Sequence, residues 1–167
     1  MATNTLIQYL ETSAYPADQR AGSTEAIGPQ VMNRRQVETF YVAASTTIAA
    51  GDLVALDFAQ TSDGNKALFV KLADTDVATA KCAIGFALTG ATSTATLFET
   101  IEVCIAGLCE GKIANGVTQG ASLVVDAAAG VAAAYDAADV YPVIGYATEA
   151  NSSGSAALRT VVVVKQF

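Results

Sequence analysis

One short phrase of this chain occurs twice, and a chain that repeats a strand-length phrase is constrained to fold as two copies of one β unit. Ala83-Ile84-Gly85-Phe86-Ala87-Leu88-Thr89 returns as Val143-Ile144-Gly145-Tyr146-Ala147-Thr148-Glu149, so Gly85 and Gly145 stand 60 positions apart (145 − 85). The same offset lays Thr100-Ile101-Glu102-Val103 over Thr160-Val161-Val162-Val163. Upstream, Gly51-Asp52-Leu53-Val54 is echoed by Gly120-Ala121-Ser122-Leu123-Val124 at an offset of 69 (120 − 51), which makes the first copy the longer one. Each copy reads as a glycine turn, an apolar strand, a variable hairpin, an apolar-Ile-Gly-aromatic-Ala strand, a Gly/Ser/Thr loop and a β-branched strand. Two copies fall short of a solenoid, which needs three or more. They describe one domain with internal copies at about 48–107 and 117–167.

Everything from Val37 onward is β in pattern. Thr39–Ala43 is a run of β-formers. Leu53–Phe58 and Ala67–Leu72 flank Ser62-Asp63-Gly64-Asn65, whose residue types suit a hairpin turn. Cys82–Leu88 and Thr100–Ala106 follow, with Leu108–Ile113 as a further strand. Ser122–Asp126 and Val131–Ala134 form a hairpin about Gly130, and Val143–Thr148 and Leu158–Lys165 close the domain. Short strands at this spacing, with glycine-rich turns and little helix, predict an all-β sandwich or barrel-like domain. Val161-Val162-Val163-Val164 does not alternate, so both faces of that strand are expected to be covered.

Residues 1–36 differ from the rest. They are polar and punctuated by Pro16, Gly22, Gly28 and Pro29, and they show no period of 2 or 3.6. Yet Leu6, Ile7, Tyr9, Leu10 and Tyr15 are more apolar anchors than a solvated tail carries. The segment therefore reads as an extended N-terminal arm that orders against a neighbouring subunit, ahead of a domain at 37–167.

Composition narrows the function. The hydrophobic share of 52% is inflated by 34 alanines, but charged residues reach only 15%, well below the usual quarter. Surface so poor in charge is suited to burial against copies or partners. Net charge is −7 with nine scattered Lys and Arg, which argues against a nucleic-acid partner, since such binding needs clustered cations to displace counterions. No stretch has the roughly 18 apolar residues of a membrane helix, and Met1–Arg20 lacks the basic start and apolar run of a signal peptide. The expectation is a chain made in a cytosol with no membrane partner.

The chemistry of catalysis is missing. There is no histidine, so Ser-His-Asp and Cys-His systems cannot be built, and no phosphate-binding glycine motif occurs. Three cysteines, Cys82, Cys104 and Cys109, make neither a paired disulfide framework nor a four-ligand zinc site; they read as small buried strand residues. Asp74 with Asp76, and Asp136 with Asp139, read as solvated loop carboxylates, with a calcium site as the alternative. Tyr41, Tyr135, Tyr141 and Tyr146 read as core or interface residues, although they could also line a sugar site. The expectation is a protein that is not an enzyme and uses no cofactor and no metal.

The second copy carries a resemblance. Gly116-Val117-Thr118-Gln119-Gly120-Ala121-Ser122-Leu123-Val124-Val125-Asp126, then Gly130-Val131, Pro142-Val143-Ile144-Gly145-Tyr146-Ala147, a Gly/Ser loop and Thr160-Val161-Val162-Val163-Val164 resemble the head-decoration, or capsid cement, proteins of tailed bacteriophages. The likeness spans about residues 37–167 and is clearest over 100–167; the long arm and the longer first copy depart from it. It implies a structural virion protein on the outer surface of the capsid, assembled in the host cytoplasm. Such a protein forms a homotrimer that clamps neighbouring subunits of the major capsid protein. On that reading Tyr9, Tyr15, Arg20, Arg34 and Arg35 supply the capsid and subunit contacts, and Gly51, Gly85, Gly120 and Gly145 are the structural positions of the repeat. The rival readings are a carbohydrate-binding or adhesin-like β module, and another virion or surface-layer structural protein.

Overall fold

A computed structural model of the chain describes residues 35–76 and 81–164. The described residues contain eleven strands: β1 (Arg35–Val42), β2 (Thr47–Ile48), β3 (Leu53–Leu56), β4 (Phe69–Leu72), β5 (Ala83–Ala87), β6 (Ala91–Thr92), β7 (Thr100–Ile113), β8 (Ser122–Val125), β9 (Ala132–Ala134), β10 (Gly145–Ala147) and β11 (Ala157–Val163). The one helix among the described residues is a single turn, α1 (Asp63–Lys66). The all-β expectation holds.

The strand ladder closes on itself twice. β1 pairs in parallel with β4, and β4, β3, β5 and β7 follow antiparallel until the first half of β7 returns to β1. The second half of β7 pairs with β11, then β10, β8 and β9 follow antiparallel, and β9 returns to β7 in parallel at Ile113. Two five-stranded rings thus share one 14-residue strand, in which the stretch read separately as Leu108–Ile113 is continuous with Thr100–Ala106. Closure leaves few unpaired edges, which is how small all-β domains avoid edge-to-edge aggregation.

The rings are wired alike, strand for strand, with the second half of β7 standing where β1 stands. Gly51 N–H donates to the Ala87 carbonyl at 2.7 Å and Ala87 N–H to that of Asp52 at 2.9 Å; Gly120 donates to Ala147 at 2.7 Å and Ala147 to Ala121 at 2.9 Å. Gly51 and Gly120 have φ of 87° and 82°, a conformation glycine adopts without steric cost. Gly85 and Gly145 are required for a different reason. A β-carbon on Gly85 would collide with the Cys104 carbonyl oxygen, and one on Gly145 with that of Val162.

Register corrects the alignment at the last strand. Ala87 faces Val103 and Ala147 faces Val161, so Val103 corresponds to Val161 and not to Val163. The loop before β7 is two residues longer than its counterpart, and a two-residue shift keeps the same face inward. The four valines do alternate: Val161 and Val163 are buried, Val162 is half-buried and Val164 is exposed. Among the described residues one face of that strand is core and the other is only partly covered. Ser62–Asn65 is also not a hairpin turn. Asn65 N–H and Lys66 N–H both reach back to the Ser62 carbonyl, at 3.0 and 3.3 Å, and the Lys66 ammonium bonds Asp63 at 2.6 Å. With twelve residues between Leu56 and Phe69, the connection has room for a helical turn where a tight hairpin would need only two residues.

Two apolar cores result. Phe40, Val42, Val54, Ile84, Val103 and Ile105 fill the first ring. The second core joins the interior of the second ring (Ile113, Leu123, Ile144, Val161, Val163) to the outward side of the first (Leu53, Ala73, Phe86, Cys104). β3 and β5 are therefore buried on both faces. Phe86 enters the second ring over Gly111, where a β-carbon would lie 2.7 Å from its ring. In the first ring the position matching Gly111 is Phe40, which fills the equivalent space with its own side chain. Burying one such phenylalanine contributes about 2–3 kcal/mol. At the seam between the rings Lys112 pairs with the nearly buried Asp52 at 3.2 Å.

Buried Asn151 ties the far end. Its amide donates to the carbonyls of Ile113, Ala114 and Ser155 at 2.9, 3.1 and 2.9 Å, and its oxygen accepts from Ser153 N–H and Oγ at 3.2 and 2.8 Å.

Candidate assembly surfaces

In a sheet, residues directly opposite one another share a face. Four strands of the second ring carry one such row. Leu108 faces Val162, Val162 faces Tyr146, and Tyr146 faces Ser122. Ser122 accepts the Tyr135 N–H at 2.8 Å, which brings Tyr135 to the end of the row. Tyr146 and Tyr135 are 44% and 47% exposed, and Leu108, Ser122 and Val162 are half-buried.

The first ring has the matching row, Cys104 facing Phe86 and Phe86 facing Leu53, with Ala73 N–H donating to Leu53 at 3.0 Å. All four side chains are buried beneath the second ring. One face of the repeat is therefore core in the first copy and bare surface in the second.

A second apolar surface lies at the end of the first ring where β1 meets β4. Tyr41 stacks on Phe69 at 5.4 Å between ring centroids, and Phe98 meets Phe69 edge-on at 5.2 Å, both favourable aromatic geometries. Leu68 and Leu97 are exposed beside them. Side chains of this kind in one contiguous patch mark an interaction surface. Sequence reasoning passed over Leu68, Phe69, Phe98 and Leu108, and reached Val162 only through its unbroken valine run. The repeat alignment does bring Phe86 onto Tyr146, but nothing local says which of the two is covered.

Of the five arm residues singled out, Tyr9, Tyr15, Arg20 and Arg34 lie outside the described residues. Arg35 opens β1, so Arg35 and Gln36 belong to the β body. Arg35 lines a cleft of about 300 Å³ between the rings, together with Gly51, Leu88, Glu102, Glu110 and Leu158.

The four tyrosines are not brought together. Tyr41 sits on the first-ring patch and Tyr135 and Tyr146 in the second-ring row, while half-buried Tyr141 donates its hydroxyl to the Thr75 carbonyl at 3.1 Å. Both aspartate pairs shape their own turns: Asp76 N–H donates to Asp74 at 2.9 Å, and Ala138 N–H to Asp136 at 2.9 Å. Among the described residues no group of three or more potential ligands could hold a metal ion, and no helix is long and apolar enough to cross a membrane. All three cysteines are free, with Cys104 and Cys109 buried. The Cys104 thiol donates to the Ala106 carbonyl at 3.4 Å, and the Cys104 side chain beside Cys109 and then burial push Cys109 far above the usual thiol range. Burial also raises Cys82.

No family model matches the sequence, and no curated protein matches it. A solved structure does match the fold. The chain is similar in fold to a phage head-fibre base. That structure is the crystal structure of the head fiber gp8.5 N base in bacteriophage phi29, matched at a TM-score of 0.53 over 77% of this chain and 94% of that one. At 17% identity the likeness is one of architecture, and it covers nearly the whole of that base.

Proposed function

We propose that this protein is a structural component of a phage virion, carried on the outer surface of the capsid, where it binds major capsid subunits and itself. The observation that carries the reading is the fold likeness to a head-fibre base, reached independently of the sequence resemblance to head-decoration proteins. The paired rings supply a rigid body, and the two exposed apolar surfaces supply places to dock. The finer reading is a cement protein that assembles as a homotrimer, clamps neighbouring capsid subunits and stabilises the shell. Its arm, with Tyr9, Tyr15, Arg20 and Arg34, reaches the capsid together with Arg35 at the start of β1. Repetition over many sites lets modest single contacts stabilise a whole shell. On this reading the protein performs no catalysis and takes no cofactor.

The test is to mix the protein with undecorated phage heads and sediment them. Stoichiometric co-sedimentation by the full chain, lost when residues 1–34 are removed, supports capsid binding through the arm. Binding undiminished by the truncation assigns the contact to the β body. A protein that stays in the supernatant overturns the reading.

A further inference from the structure

The seam between the two rings has two sides, and each side recurs once more in the chain without a covering partner among the described residues. On the first-ring side of the seam stand Leu53, Phe86, Cys104 and Asp52. Their counterparts in the second ring are Ser122, Tyr146, Val162 and Ala121, the bare row and its margin. On the second-ring side stand Lys112, Gly130 and Val131: Lys112 pairs with Asp52, and Gly130 bonds both neighbours of that row, accepting from Leu53 N–H and donating to the Ala73 carbonyl, each at 2.8 Å. Their counterparts in the first ring are Tyr41, Leu68 and Phe69, the exposed aromatic patch. These correspondences come from strand register. Tyr41 and Val42 pair in parallel with Phe69 and Val70, as Ile113 does with Ala132.

The substitutions between the two settings are coordinated. Where the covered seam holds the ion pair of Asp52 with Lys112, the uncovered sides hold Ala121 and Tyr41, both uncharged. Where the covered seam has Gly130, the uncovered side has Leu68. Both uncovered sides are thus apolar at matching positions, although one lies on each ring.

The geometry points to head-to-tail self-association, in which the second-ring row around Tyr146 of one copy packs on the first-ring patch around Tyr41 and Leu68 of the next. Phe40 fills the first ring where Gly111 leaves the second open, so Tyr146 lies against the rim of the patch and does not insert as Phe86 does. A tyrosine suits that half-wet position, with its ring buried and its hydroxyl at the edge. Two different surfaces meeting in this way make a heterologous interface, which gives a closed ring of copies if its rotation closes. The inference deepens the self-association named under the proposed function. It is read from mass in solution, whereas capsid binding is read from sedimentation with heads, so either can fail alone.

The experiment uses the full chain and light scattering, with circular dichroism confirming that each variant folds. The wild type should show one defined mass above the monomer. Tyr146→Asp and Leu68→Asp, both at exposed positions, should each weaken association at least ~30-fold, the effect of losing one central anchor. An equimolar mixture of the two should recover a dimer, because each variant keeps the one intact surface that the other lacks. A monomeric wild type, a variant that still assembles alone, or a mixture that stays monomeric would overturn the proposal. The second of these results would indicate a twofold contact or a capsid-facing surface instead.

Discussion

Phe86 and Tyr146 occupy the same place in two identically wired rings, yet Phe86 is fully buried and Tyr146 is 44% exposed. The difference lies entirely in what covers each. Phe86→Ala should therefore leave a cavity and cost about 3–5 kcal/mol. Tyr146→Ala should change the stability of the monomer by less than ~1 kcal/mol. Urea unfolding of both variants at low protein concentration checks the contrast.

Gly85→Ala and Gly145→Ala each drive a β-carbon into a backbone carbonyl oxygen of the neighbouring strand. Backbone in a closed ring cannot step aside as a flexible side chain could. Each substitution should cost more than ~2 kcal/mol, seen as a lower denaturation midpoint.

Asn151→Ala would leave three carbonyls at the end of the second ring without the amide that bonds them. The expected loss is about 1–3 kcal/mol, most of it from the buried Ile113 carbonyl, since an unpaired buried acceptor pays its full desolvation cost. Asn151→Asp should be worse at neutral pH, where a carboxylate would face those carbonyl oxygens, and should recover in part in acid as it is protonated.

Thiol chemistry should separate the cysteines. Cys104 and Cys109 should stay unreactive toward an aromatic disulfide reagent until the protein unfolds, because both are buried. Cys82 is half-buried, and burial raises its thiol. Its thiolate is therefore scarce until the pH passes the usual thiol value, and its reaction should accelerate above that point and not below it.

The duplicated phrase, the glycine turns and the runs of β-formers were legible because they are local. Side-chain alternation and turn chemistry depend on neighbours a few residues away. From these the all-β class, the repeat and most strands followed, with Gly51, Gly85, Gly120 and Gly145 at its fixed points. The misreadings came where local signals were ambiguous. Asp63-Gly64 serves a helical turn as well as a hairpin, and a two-residue slip of the last strand leaves its pattern of faces unchanged.

What the tertiary structure alone decided is which repeat face is core and which is surface. The sharing of β7, the insertion of Phe86 over Gly111 and the gathering of Tyr41, Phe69 and Phe98 into one patch all join residues far apart in the chain. The two copies carry nearly the same local pattern, so no local rule could tell the covered face from the bare one. That distinction arises only when one ring packs on the other and nothing in the described chain remains to pack on the second.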